Sequence, residues 1–310
     1  MRILILGGAG YIGSMLSTEL VGIGHDVTVV DKLKYNSNSL SHLYFYKNFK
    51  LVKDDIRKKS IIKLHLKNKD LIIPLAALVG APLCEKNKKD AISTNLGAIK
   101  TLLSLVKKSQ KIIFLTTNSG YGIGKKGKYC DETSLLNPIS LYGKTKMQAE
   151  ELIKKHANFV SLRLATVFGI SYRMRSDLLV NNFVETAIKH GQLKLYESHF
   201  RRNFIHIRDV VHAIIFISNN FSKFKNNIFN LGLSSANITK LGLAKKIKKQ
   251  IKVLKIKEIK NKKDPDQRDY FVSNKKIEKK GFKAKISLDQ GINELKVYFL
   301  NSKESIKNNY

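Results

Sequence analysis

The sequence predicts an α/β fold: a doubly wound parallel sheet with a smaller C-terminal α/β substrate domain. Three observations carry that prediction. Over the first half of the chain, short runs that are apolar almost throughout alternate with stretches of helical periodicity, the pattern of strands covered on both faces and joined by crossover helices. The first run, RILIL, passes directly into GGAGYIG and then into a helical pattern. After Gly169 the alternation loosens, as expected where a second unit begins.

The strand candidates are, in order, RILIL, DVTVV, FKLV, DLIIPL, KIIFL and FVSLRL. Helical spacing recurs between them in IGSMLSTELVGIG, TNLGAIKTLLSLVKKS and ISLYGKTKMQAEELIKKHA. Beyond Gly169, SDLLVNNFVETAIKHG predicts a helix, FRRNFIHIRDVVHAIIFIS a strand running into a helix, and NIFNLGL another strand. ITKLGLAKKIKKQI and LDQGINELKVYFL predict two late helices. The expected division is a first domain over 1–169 with about 204–230, and a second over 170–203 and 231–310.

At 310 residues with a hydrophobic fraction of 43%, the chain can bury a sizeable core. Its two cysteines, Cys84 and Cys130, form neither a disulfide framework nor a zinc spacing. No apolar run approaches the ~18 residues of a membrane span. MRILILGGAG is too short in its apolar part to be a signal peptide and runs into a glycine motif. A soluble, cytoplasmic protein without metal is expected. The net charge of +33 comes from lysines spread along the chain among asparagine and isoleucine, without aromatic interleaving. That reads as solvated faces, with no nucleic-acid or membrane partner, and as a field that draws polyanionic small molecules.

Gly7, Gly10 and Gly13 fall between a strand and a helix. They permit the tight turn, the approach of backbone to a pyrophosphate and close helix–strand packing, and the first helical turn, Tyr11 and Ile12, offers its N–H groups to phosphate. Asp31 ends the second strand, eighteen residues past Gly13. A carboxylate there accepts from both ribose hydroxyls and repels a 2′-phosphate, so the motif predicts a Rossmann domain binding NAD rather than NADP; Lys32 weighs slightly the other way. Asp55 and Ile56, after the third strand, are expected to flank the adenine. Leu75, Ala76 and Ala77, after the fourth, leave room for the cofactor's phosphates and ribose.

Tyr142 and Lys146 stand at i and i+4, on one face of a helix. An ammonium beside a phenol favours phenolate, which prepares Tyr142 as a general base; Lys146 can also hold the nicotinamide ribose.

With these residues in order, the chain resembles the extended short-chain dehydrogenase/reductases of the NAD-dependent epimerase/dehydratase family. GGAGYIG, Asp31, LAALVG, TTNSGYG, YGKTK, RLATVFG, RRNFIHIRDV and DPDQRDY carry the resemblance over nearly the whole chain. Pro74 departs from it, standing where histidine is common. The resemblance implies that Thr117 hydrogen-bonds the sugar oxygen being oxidised while Tyr142 takes the proton and hydride passes to NAD. The family's 4,6-dehydratases follow that threonine with Asp-Glu. Here Asn118 and Ser119 follow, and neither is an acid or base at neutral pH, so oxidation without loss of water is expected.

A nucleotide-diphosphate sugar suits planar guanidinium groups. Arg202 and Arg268 match the family's phosphate-contacting arginines. Arg173 and Asn181 are weaker candidates for substrate contact, as are Asn118 and Ser119, and Arg175 reads equally well as a surface residue. Arg208 beside Asp209 predicts a structural ion pair, His206 a core histidine and Cys84 a buried thiol, while His199 is left open. LAALVGAPLCEKN, TTNSGYGIG and RLATVFGISYRMRSDLLVNNF are further similar to family members that oxidise C4 of GDP-D-glycero-α-D-manno-heptose in capsule heptose biosynthesis. That implies tightly held NAD and a 2-oxoacid hydride acceptor; a 4-epimerase would use the same Thr117, Tyr142 and Lys146. The resemblance also implies a homodimer paired through the helices near 95–107 and 141–155.

Overall fold

Strands whose side chains are buried on both faces have no room for the polar half of an alternating pattern, and the central strands show it. β1 (Arg2–Leu6), β4 (Leu71–Pro74), β5 (Lys111–Thr117) and β7 (Phe159–Leu164) are buried almost throughout. The computed structural model describes residues 1–35, 38–125, 127–259 and 268–302. With β2 (Asp26–Asp31), β3 (Phe49–Lys53) and β11 (Asn227–Leu231), these strands form a seven-stranded sheet in the order β11-β7-β5-β4-β1-β2-β3. Every neighbouring pair is parallel. FKLVK, the edge strand β3, keeps two exposed lysines. The strand order reverses between β1 and β4, and a crevice opens beyond the carboxyl ends of the strands there.

The remaining strands are short. β8 (Thr166–Phe168) leaves the sheet directly after β7 and pairs in parallel with β10 (Arg201–His206), which pairs antiparallel with β12 (Asn237–Thr239). β9 (Gln192–Tyr196) pairs with β13 (Lys255–Ile259), and β6 (Tyr129–Cys130) with β14 (Phe271–Val272). QLKLY and KIKEI do not stand out as strands in the sequence; Leu193 and Leu195 are buried in the apolar cluster of the late helices, with Ile256 packed against it.

Two large apolar clusters hold the described residues together. One joins β1, β2, β5, β7 and β11 to helices Tyr11–Gly22 and Ile207–Asn219 through residues such as Leu16, Val29, Val160, Ile214 and Phe229. The other packs helices Leu179–His190, Lys240–Gln250 and Leu288–Asn301 around Val184, Leu243 and Leu295. The two late helices carry the hydroxyl caps that their sequences offer, Thr239 accepting from the Gly242 amide and Ser287 from the Gln290 amide.

One helix differs from its expected bounds. TNLGAIKTLLSLVKKS forms helix only to Leu103, and helical structure begins upstream, at Lys88, with a π-turn over Ser93–Gly97. The upstream turn is lysine-rich and carries no apolar period, so its helicity is invisible locally. The π-turn has a use: it aims Asn95 at the loop after β4, where its amide accepts from Leu78 N (2.8 Å) and donates to Leu78 O (3.0 Å).

Candidate active site

At the crevice the glycines are required by contact rather than by flexibility alone. A Cβ on Gly13 would lie 2.5 Å from the Gly7 carbonyl oxygen, and one on Gly7, at φ +91°, 2.4 Å from the Ala76 amide nitrogen. β1, the loop after β4 and the first turn of helix Tyr11–Gly22 therefore meet backbone to backbone. Above them lies a cavity of about 570 Å³.

Asp31 borders this cavity at the end of β2. Its carboxylate accepts from the Ala9 amide (3.0 Å) and the Leu33 amide (2.8 Å). Burial pushes its pKa up while those two bonds pull it back. Each oxygen keeps an acceptor site for a ribose hydroxyl. Lys32 turns its ammonium toward Asp55 (3.2 Å), and Asp55 also pairs with Arg57 (2.7 Å). Burial raises Asp55, but Arg57 and Lys32 outweigh it and hold the carboxyl at about 2. Gly7, Gly10, Tyr11, Ile12, Gly13, Ile56, Leu75, Ala76 and Ala77 all border the same cavity. The Tyr11 hydroxyl donates to Gly169 O (2.7 Å), tying the glycine turn to the loop after β8.

Helix Leu141–Ile153 starts at a Ser140 cap and carries Tyr142 and Lys146 to the cavity, which Thr117 at the end of β5 also lines. The electrostatics differ from the simple pair. Burial raises Tyr142 to about 12, with Arg268 and Arg175 pulling it down and Cys84 and Tyr270 adding to the rise. Burial also lowers Lys146 to about 7, partly offset by Glu150, and its Nζ sits 4.3 Å from the Phe114 ring centroid. The cations that pull the phenol down are thus Arg268 and Arg175, distant in sequence, while Lys146 is itself desolvated.

That burden on Lys146 gives a test. Its folded pKa lies below its ordinary value of 10.5, so between about 7 and 10.5 the unfolded chain binds the extra proton and stability rises with pH. Lys146→Met is expected to raise the melting temperature of the cofactor-free protein, most below pH 7 and not at all near pH 10.5, at roughly 2–4 °C per kcal/mol. Thermal melts across that range check it; a gain independent of pH would refute the assignment.

Arg173, Arg175, Arg202 and Arg268 also line the cavity. Arg175 is paired with Asp177, both buried, so it is no surface residue. The Arg173 guanidinium lies 4.7 Å from the ring centroid of Tyr35. Arg268 donates to the Ser119 hydroxyl; residues 264–267 of DPDQRDY lie outside the described residues.

Two expected substrate contacts stand off the wall. The 3₁₀ turn Asn118–Tyr121 presents Thr117 and Ser119 to the cavity and turns Asn118 inward, where its amide is buried without a hydrogen-bond partner among the described residues. Asn181 faces the core of its helix, accepting from Gly169 N (3.0 Å) and donating to Arg175 O (2.8 Å), while its neighbour Asn182 faces the cavity. Arg208 does not pair with Asp209 but with Glu294; Asp209 instead accepts the backbone amides of Lys285 and Ile286. His206 is buried between β10 and its helix, its pKa pushed down to about 4 by burial foremost. Cys84 is buried, donates to Leu78 O and is pushed up by burial to about 11. Thr166, Tyr35, Ser140 and Lys240 also line the cavity. Of these, Thr166 lay within a motif already singled out, whereas nothing in the sequence marks Lys240 as near the site.

A glycine turn fitted to pyrophosphate, a carboxylate at the ribose position and Tyr142, Lys146 and Thr117 around the same cavity define a dinucleotide-binding fold with a candidate catalytic group. Residues 3–232 match the model of the NAD dependent epimerase/dehydratase family, and the chain belongs to that family; it is an enzyme with NAD as its cofactor. It is 30% identical over 230 residues to YtcB of Bacillus subtilis, described as an uncharacterized UDP-glucose epimerase, covering 69% of this chain and 71% of that one. UDP-glucuronic acid decarboxylase 1 of Xenopus tropicalis is 28% identical over 230 residues, 70% of this chain, and the match spans about half, 53%, of that relative's length. The structure of UDP-glucose 4-epimerase from Thermotoga maritima with UDP-glucose superposes with a TM-score of 0.83 at 26% identity, covering 98% of this chain and 100% of that one. Among the described residues no helix is long and apolar enough to cross a membrane.

Proposed function

We propose that the protein oxidises a nucleotide-diphosphate sugar at C4 to the 4-keto sugar without loss of water, with GDP-D-glycero-α-D-manno-heptose as the substrate. The observation that carries the reading is the pair after Thr117: Asn118 turned into the core and Ser119 facing the cavity, where elimination of water would need an acid and a base. NAD, when bound, supplies the hydride acceptor. Thr117 holds the sugar oxygen, Tyr142 takes its proton, and Lys146 holds the nicotinamide ribose. Arg202 and Arg268 receive the diphosphate, whose charge favours a wall so rich in guanidinium groups. The heptose rests on the sequence similarity of the motif segments alone, as does a 2-oxoacid as the final hydride acceptor. A C4-epimerase is the second reading, favoured by the likeness to the Thermotoga maritima UDP-glucose 4-epimerase. Two copies are proposed to pair through the helices 88–103 and 141–153, where Ile92 is half exposed; light scattering reads that directly.

The deciding experiment incubates the enzyme with NAD, 2-oxoglutarate and a panel of GDP-, UDP- and dTDP-sugars and reads products by mass spectrometry. A product lighter by two hydrogens establishes the dehydrogenase and names the sugar. An isomer of unchanged mass makes the enzyme an epimerase, and loss of water overturns the reading of Asn118 and Ser119.

A further inference from the structure

The Ser119 hydroxyl stands between two groups. It accepts a hydrogen bond from Arg268 Nη1, and its oxygen lies 2.8 Å from Thr117 Oγ1. The Ser119 backbone N–H also donates to Thr117 Oγ1 (3.1 Å). A guanidinium can only donate, whereas a hydroxyl donates once and accepts twice. Donation by Arg268 polarises the Ser119 O–H and strengthens it as a donor, and the nearest oxygen is that of Thr117. Thr117 Oγ1 then accepts from both the hydroxyl and the amide of Ser119, which fills its lone pairs and leaves its own proton for the cavity.

We propose that Ser119 and Arg268 are positioning residues, a one-way hydrogen-bond chain from Arg268 through Ser119 to Thr117 that fixes Thr117 as a donor to the sugar oxygen. The inference rests on the proposed oxidation at a sugar carbon and holds equally for the dehydrogenase and the epimerase, since both begin with it. As C4 loses hydride and Tyr142 takes the hydroxyl proton, negative charge gathers on that oxygen; a donor already aimed there needs no reorganisation. A carboxylate at 119 would reverse the chain. It accepts but does not donate, so it would draw the Thr117 proton away from the substrate. On this view the serine is more than a missing dehydratase acid: it sets the direction of the threonine's proton.

The test is single-turnover reduction of the bound nicotinamide by the active nucleotide sugar, in Ser119→Ala, Ser119→Thr and Ser119→Glu, each also combined with Thr117→Val. Ser119→Ala is expected to lower the rate about tenfold with KM unchanged, the mark of an interaction made in the transition state. Ser119→Thr restores it, and Ser119→Glu falls below Ser119→Ala. In the Thr117→Val background Ser119→Ala has no further effect, because the chain has lost its end. A full loss that persists in that background, or a rise in KM at constant rate, overturns the inference while leaving the oxidation standing. If no nucleotide sugar reduces the nicotinamide in the wild type, the proposed function falls and takes this inference with it.

Discussion

Tyr142→Phe is expected to lower hydride transfer from the sugar by about 10²–10⁴-fold while NAD remains bound with near-normal affinity. The phenol is the group proposed to take the proton of the sugar hydroxyl, and Phe preserves the ring's packing while removing that oxygen. The phenol also gives a pH signature, read in a second variant. Burial holds the unliganded phenol near 12, with Arg268 and Arg175 working against it, so a base that functions near neutrality needs further cationic help once the site is filled. Removing Arg268 as Arg268→Gln should therefore move the acidic limb of the rate profile to higher pH, because the charge that favours phenolate is gone. Steady-state and stopped-flow nicotinamide absorbance read both effects. Full activity in Tyr142→Phe would end the proposed mechanism.

Glu150→Ala is expected to cost about 3–5 kcal/mol of stability, with a melting temperature lower by roughly 10 °C. Glu150 lies on the helix one turn past Lys146 and is wholly buried. Its carboxylate accepts from Arg163 Nη2 (2.7 Å) and Nε (3.1 Å) and from the Ser161 hydroxyl (2.8 Å). Arg163 in turn donates to the Tyr121 hydroxyl (3.2 Å), which donates to Asn230 Oδ1 (2.7 Å). Burial works against the Arg163 charge and Glu150 more than offsets it, so the guanidinium stays firmly protonated. Removing the acid leaves that cation buried without its counterion. The double change Glu150→Leu with Arg163→Met should recover most of the loss, since a buried pair replaced by apolar side chains carries little net penalty. Equal melting of the single and double variants would show that the pair contributes by shape rather than by charge.

The glycine turn was legible because its spacing reflects steric limits that any sequence of this fold must meet: Gly13 and Gly7 face backbone atoms at distances no Cβ tolerates. The parallel sheet was legible in the same way, because strands buried on both faces must be apolar nearly throughout. The small strand pairs were not, since QLKLY and KIKEI bury only one side each and the partner lies about 60 residues away. Asn181 looked like a substrate contact and is a backbone clamp, a distinction that depends on which face of its helix meets the core. Arg208 was paired with the wrong acid for a related reason: Asp209 is adjacent in sequence but is claimed by two backbone amides of a distant loop.

By itself the sequence determined the class of fold, the cofactor and the absence of an acid–base pair after Thr117, because each is a matter of residue type at a fixed local spacing. Only the tertiary structure decided what those residues do to one another. It brought Arg268 from the far end of the chain to the Ser119 hydroxyl, it desolvated Lys146, and it set Arg268 and Arg175 where their charge acts on Tyr142. Charge and proton direction depend on distance and dielectric, and both are set by which distant segments close over the site.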